Sequence, residues 1–331
     1  MKPDLKIADS MLDLIGDIPL VRLNRVGRES GVEILVKPEF LNPSGSIKDR
    51  IAKRMVEKAE AQGDLRENYR IIEATGGNTG TALAFVSAVR GYDFVAYVPD
   101  KIADPSRVAI MLAYGCEVVT VDTDAYEAAR TGESPADSDT GAHGGYLELG
   151  GRQLCLDAER EQADVWYARQ YSSPANVAAH REETAKEILD KTDGALDAFV
   201  ASVGTGGTLF GIAQALKEHD PEISVWGAEP AGKPMVGDPG AYPLIPDISD
   251  GIIPDILESG LIDGVFSIND EEAIGMAHRL AESEGIFCGM SGGANVEASL
   301  RLAGRLGSGK RIVTVLPDSR DRYLQFEKYT T

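Results

Sequence analysis

The sequence predicts an α/β protein of two doubly wound domains with parallel-rich sheets, and three observations support this. Short apolar runs alternate with segments of helical periodicity, the order that builds parallel sheets joined by right-handed crossovers. Two of these units, near 69–90 and 197–218, share one construction: strand, glycine-rich loop, helix. A chain of 331 residues, 43% of them hydrophobic, has the length for two domains of about 100–200 residues each. The division is expected as a smaller domain at 50–160 and a larger one formed by 1–49 and 161–331.

Pro43 and Gly45 punctuate the chain before the first helix, which Ile51-Ala52-Lys53-Arg54-Met55-Val56 marks by its mix of apolar and charged residues. Strand 69–73, helix 79–90, strand 94–98, helix 106–114 and strand 117–121 then form the first series. Thr131 to Gly141 is rich in turn formers and acids and reads as a surface loop. The second series opens on Asp197-Ala198-Phe199-Val200-Ala201-Ser202-Val203, nearly all apolar, as a strand covered on both faces must be. Helix 208–218, strand 224–229, helices 270–284 and 293–305 and strand 311–316 follow. Ligands gather at the carboxyl ends of such strands, so the two glycine loops and the turn before the first helix are expected to meet in a cleft.

Composition narrows the function. A formal net charge of -20 opposes nucleic acid or an anionic membrane as partner and is compatible with adaptation to high salt. No run reaches the ~18 apolar residues of a membrane span, and the N-terminus has no apolar signal core. Three cysteines (Cys116, Cys155, Cys288) form no C-x-x-C pair, which suits a reducing compartment, the cytoplasm. Cys116 and Cys288 are expected to be packed in the interior. Four dispersed histidines (His143, His180, His219, His278) offer no metal cluster, and His180 reads as a surface or packing residue of a helical run.

The chemistry concentrates in three segments. In Asn42-Pro43-Ser44-Gly45-Ser46-Ile47-Lys48-Asp49-Arg50, Lys48 sits where a turn becomes a helix, and the positive end of the dipole disfavours charge on its amine. Such an amine can form a Schiff base with a carbonyl cofactor; the alternative is one more solvated lysine. The loop Gly204-Thr205-Gly206-Gly207-Thr208 offers backbone N–H groups, a helix start and two hydroxyls to a phosphate. It has neither dinucleotide-fingerprint nor P-loop spacing, and a ligand-free tight turn is the other reading. Thr75-Gly76-Gly77-Asn78-Thr79-Gly80 repeats the grammar and suits a carboxylate, with an ordinary helix cap as its alternative.

Together these segments resemble the cysteine synthase (O-acetylserine sulfhydrylase) and cystathionine β-synthase group of fold type II enzymes. The first is similar to N-P-x-G-S-x-K-D-R, the last to T-x-G-N-T-G, and the middle one to G-T-G-G-T. Gln170-Tyr171-Ser172-Ser173-Pro174-Ala175-Asn176 is similar to Q-F-x-x-P-A-N, and Gly289-Met290-Ser291-Gly292-Gly293-Ala294 to G-x-S-S-G-A. The likeness runs from about Leu14 to Tyr323, and it would make the loop from Thr131 to Gly141 an insertion. It implies pyridoxal 5'-phosphate as cofactor, bound in the cleft between the domains. Lys48 would be its Schiff-base lysine and the base that moves the α-proton. Asn78 would bond the ring oxygen, Gly204, Thr205, Gly206, Gly207 and Thr208 the phosphate, and Ser291 the ring nitrogen. Thr75, Gly76, Thr79 and Gln170 would take the substrate carboxylate.

A hydroxyl at the ring nitrogen, rather than a carboxylate, favours β-elimination. The implied reaction is β-replacement on a β-substituted serine, O-acetylserine with sulfide giving L-cysteine through an aminoacrylate. Other donors and nucleophiles remain open: serine with homocysteine, O-phosphoserine, or an amine. So does a regulatory homologue of low activity. The resemblance also implies a homodimer, the serine acetyltransferase tail as a partner of some members, and a stand-alone synthase without haem-binding or regulatory extensions. Three positions depart from the pattern. Gly76 stands where a serine is usual, Ala74 where a proline is, and Asp247 and Asp250 fall in a usually glycine-rich wall. Facing the pocket, those aspartates would repel an anionic leaving group; otherwise they face solvent.

Overall fold

The computed structural model describes residues 7–126, 148–231 and 252–324. Two sheets organise them. In the smaller, β3 (Arg70–Ala74), β4 (Asp93–Pro99), β5 (Glu117–Val121) and β6 (Val165–Tyr167) lie in the order β5-β4-β3-β6, all parallel. In the larger, β1 (Val21–Arg22), β2 (Glu33–Pro38), β7 (Ala198–Ser202), β8 (Ser224–Pro230), β9 (Gly264–Ile268) and β10 (Arg311–Leu316) lie in the order β1-β2-β10-β7-β8-β9. Among the described strands only the edge pair β1–β2 is antiparallel.

Both sheets are covered on both faces, which is why their strands are mainly apolar, with a few buried polar exceptions such as Lys37 and Glu73. Neighbouring residues of a strand point to opposite faces. Ile71 packs into one core cluster with Ile51, Met55 and Leu83, while Ile72 packs into another with Cys155 and Tyr167. In the larger sheet Phe199 and Val313 share one cluster, and Val200 and Ile312 share the opposite one. Helices supply the covering layers: α1 (Lys48–Gln62), α2 (Asn78–Arg90), α3 (Pro105–Ala113), α4 (Leu149–Glu161), α5 (Pro174–Ala179), α6 (Ala185–Thr192), α7 (Gly207–His219), α8 (Ile252–Ser259), α9 (Asp270–Glu284) and α10 (Met290–Leu306).

Strand 117–121, helix 270–284 and strand 311–316 stand as expected to the residue. The largest shift is at α10, which begins at Met290 and takes Gly292 and Gly293 into its first turns. Gly293 serves helix packing, since a Cβ there would lie 2.0 Å from the Ala273 carbonyl oxygen of α9, and a Cβ on Gly292 would lie 2.9 Å from Cys288 Sγ. The four-stranded sheet also runs past residue 160, because β6 pairs with β3, so the expected domain division falls before that sheet's last strand. Cys116 and Cys288 are buried, as expected of packed thiols. The 131–141 insertion, Asp247 and Asp250 lie outside the described residues.

Candidate active site

Lys48 is the first residue of α1, and the turn before it is tied down on every side. Ile47 N–H donates to the Pro317 carbonyl at 2.8 Å, and Ser44 N–H donates to the Asp49 carboxylate at 2.7 Å. Gly45 has φ +87°, and a Cβ there would meet the Arg322 guanidinium at 2.7 Å, so a side chain is excluded twice over. Burial lowers the Lys48 amine to about 8, against the opposing charges of Glu148 and Asp318. An amine near neutrality in that range can take up and release a proton at working pH.

The amine faces a cleft of about 270 Å³ lined also by Asn78, Gly204, Thr205, Gly206, Thr208 and Ser291. The structure thus brings together seven of the residues singled out in the sequence. The glycine loop leaves β7 and enters α7 through Gly206, whose φ of +91° only glycine adopts without strain. The Thr205 hydroxyl accepts from Asn176 Nδ2 at 3.0 Å, and Gly207 must lack a side chain because Asn176 Oδ1 would lie 2.0 Å from its Cβ. Gly207 stands outside the cleft lining.

Of the two readings of His180, packing residue or surface residue, the structure bears out packing. His180 is fully buried, with Nε2 3.1 Å from the Thr208 hydroxyl and Nδ1 3.0 Å from that of Thr184. Burial, with the charges of Lys48 and Arg50, holds it neutral. It lies on a π-helical turn, His180–Thr184, between α5 and α6, a widened turn often found at functional sites.

The second loop is built differently from the first. Thr75, Thr79 and Gln170 are buried and bonded to one another's surroundings. The Thr79 hydroxyl donates to Gln170 Oε1 at 2.5 Å, Gln170 Nε2 donates to the Ala74 carbonyl, and Thr75 Oγ1 accepts from Gly80 N–H at 3.2 Å. Gly76 N–H donates to Glu148 Oε1 at 3.3 Å. These four residues stand outside the cleft lining. Around them lie two buried carboxyls that the sequence reading did not single out. Burial raises Glu148 to about 7, against hydrogen bonds from Tyr171 and Gly76, and raises Glu73 to about 8.

The other residues missed are Asp318, Arg322 and Tyr323, which follow directly from β10. Asp318 and Tyr323 line the cleft, and the rule that ligands gather at the carboxyl ends of strands points to them. Asn78 Nδ2 donates to Asp318 Oδ2 at 2.7 Å, and Arg322 Nη1 donates to Asn78 Oδ1 at 2.7 Å. Together the donor set suits a planar phosphorylated aldehyde: a helix-start anion cradle, a reactive amine, an amide donor and a neutral hydroxyl.

Comparison with known proteins agrees. The sequence matches the family described as "Pyridoxal-phosphate dependent enzyme" over residues 11–318. It is 39% identical to a "Probable cysteine synthase" of Bacillus subtilis (strain 168), covering 98% of this chain and 99% of that one. The structure resembles that of an O-ureido-L-serine synthase, with TM-score 0.83 and 36% identity over 98% of this chain and 96% of the other. It also resembles a hydrogen sulfide-producing enzyme from Fusobacterium nucleatum, with TM-score 0.82 and 33% identity over 97% and 99% of the two chains. The chain therefore belongs to the pyridoxal-phosphate dependent enzymes, as a cysteine synthase-like member that takes pyridoxal 5'-phosphate as its cofactor.

Proposed function

We propose that the protein converts O-acetylserine and sulfide to L-cysteine, a β-replacement on a serine derivative. The observation that carries this is the pairing, across one cleft, of the depressed Lys48 amine with the uncharged Ser291 hydroxyl. When bound, pyridoxal phosphate supplies the electron sink for loss of the α-proton and of the β-substituent. In this reading Lys48 holds the cofactor and then carries the α-proton on Nζ. Gly204, Thr205, Gly206, Gly207 and Thr208 hold the phosphate, with the Thr208 hydroxyl oriented by His180. Asn78 donates to the ring oxygen and Ser291 meets the ring nitrogen, where a hydroxyl does not hold a proton as a carboxylate would. Thr75, Gly76, Thr79 and Gln170 shape the seat of the donor's α-carboxylate. Gly76 N–H is shared with Glu148, whose negative charge opposes that carboxylate unless Glu148 is protonated.

The likeness to O-ureido-L-serine synthase keeps a nitrogen or oxygen nucleophile as the second reading. The test is product analysis with purified holoenzyme, pairing O-acetylserine, serine and O-phosphoserine with sulfide, homocysteine and hydroxyurea. Cysteine from O-acetylserine and sulfide, at the highest kcat/KM of the set, is the expected result. A higher kcat/KM for another pair would replace the assigned substrates. The same reading places the protein in the cytoplasm as a homodimer, with the serine acetyltransferase tail as a ligand of the cleft. The buried free thiols accord with a reducing compartment. Sedimentation with and without that tail peptide checks both associations.

A further inference from the structure

We propose that Arg322 and Asp318 are positioning residues that lock the Asn78 amide with its N–H edge toward the cleft. Asn78 then meets the cofactor ring only as a donor, and so favours the ionised form of the ring oxygen. This rests on the placement of the ring beside Asn78 in the reading above.

A carboxamide is nearly symmetric in shape, and its partners decide which end carries the oxygen. Here the partners are unambiguous. A guanidinium has donors and no acceptor, a carboxylate has acceptors and no donor. Arg322 Nη1 reaches Asn78 Oδ1 at 2.7 Å and Asp318 Oδ2 receives Asn78 Nδ2 at 2.7 Å. Turning the amide over would set N–H against guanidinium and carbonyl against carboxylate, losing two charge-assisted hydrogen bonds at once. The amide nitrogen carries two protons. Asp318 takes one, and the other remains for a group in the cleft that Asn78 helps to line.

The lock is itself held. Arg322 is 7% exposed and Asp318 1%. Arg322 Nη2 donates to the Ser44 carbonyl, in the turn that leads to Lys48. Asp318 Oδ2 also accepts the Tyr323 hydroxyl at 2.6 Å, and the Arg107 guanidinium sits 4.8 Å over the Tyr323 ring. The Asp318 carbonyl accepts Gly289 N–H at 3.0 Å, two residues before Ser291. One short segment after β10 thus touches the lysine turn, the amide and the start of α10. These contacts fix Asn78 relative to the other groups assigned to the ring.

The test compares wild type with Arg322→Leu, Arg322→Lys, Asp318→Asn and Asn78→Ala. The readouts are the visible absorption of bound pyridoxal phosphate, its Kd by titration of the apo-protein, and Tm. Arg322→Leu should shift absorption toward the protonated ring-oxygen form and weaken cofactor binding roughly tenfold, the size of one charge-assisted hydrogen bond. Asn78→Ala should reproduce the spectral change, and Arg322→Lys should restore most of the wild-type spectrum. If Asn78→Ala alters the spectrum while Arg322→Leu lowers only Tm, the lock is overturned and the ring placement stands. If Asn78→Ala leaves the spectrum unchanged, the placement beside Asn78 falls, and the lock with it. Should Arg322→Leu not fold, a wild-type spectrum in Asp318→Asn overturns the lock on its own.

Discussion

Lys48 was legible because its cue is local: a proline and a glycine before it, a helical pattern after it. Its lowered pKa needed the fold, since desolvation depends on what surrounds the cleft. The amine must be unprotonated to capture an aldehyde, so uptake of pyridoxal phosphate by the apo-protein should rise with pH through a midpoint at about 8 and level off above it. A stopped-flow series in pH measures this, and continued acceleration toward pH 10 would mean an ordinary, solvated lysine. Lys48→Ala should lower turnover by about 10²–10⁴-fold. Cys288 is a residue for which packing is the right reading: burial pushes its thiol up to about 12, which leaves it unreactive three residues from Ser291.

At the level of elements, α1 is anchored by a buried ionic cluster that holds its first turn, and so Lys48, in place. Arg50 forks onto Glu39 at 2.7 and 2.9 Å and onto Glu187 at 2.7 and 2.9 Å. Lys37 of β2 joins Glu187 at 2.6 Å, so α1, β2 and α6 meet at one point. Burial pushes Glu187 up, but hydrogen bonds and charge from Arg50 and Lys37 outweigh it and bring the carboxyl down to about 2. A depressed carboxyl contributes stability that is complete above its unfolded value near 4.5 and is lost as pH falls toward 2. Glu187→Gln should therefore cost about 3–5 kcal/mol at neutral pH by leaving buried cations short of a partner. Its deficit against wild type should shrink below pH 4 in chemical denaturation. A pH-independent difference would show that shape rather than charge is lost.

For the whole molecule, the net charge of -20 sets up self-repulsion that salt screens. Raising salt from about 0.01 to about 1 M shortens the Debye length from about 30 to about 3 Å. Tm should rise by several degrees over that range. A flat response in differential scanning calorimetry would mean that surface pairs such as Lys310–Asp197 and Lys217–Asp263 already balance the charge locally. The covering of both faces of each sheet could be read from continuous apolar strands. The pairing of β6 with β3 could not, because three residues carry too little pattern to identify a strand.

The sequence by itself determined the fold class, the turn-to-helix position of Lys48 and the two glycine loops. Each of these is written in neighbouring residues whose backbone preferences and spacing are local. Only the tertiary structure decided which groups complete the site. Arg322 reaches Asn78 across 244 residues, Gly76 is bonded by Glu148 from 72 residues away, and Thr208 meets His180 from 28. No periodicity connects such partners. They meet because the strand ends converge on one cleft, and a buried polar group must find its hydrogen bond wherever the packed chain supplies it.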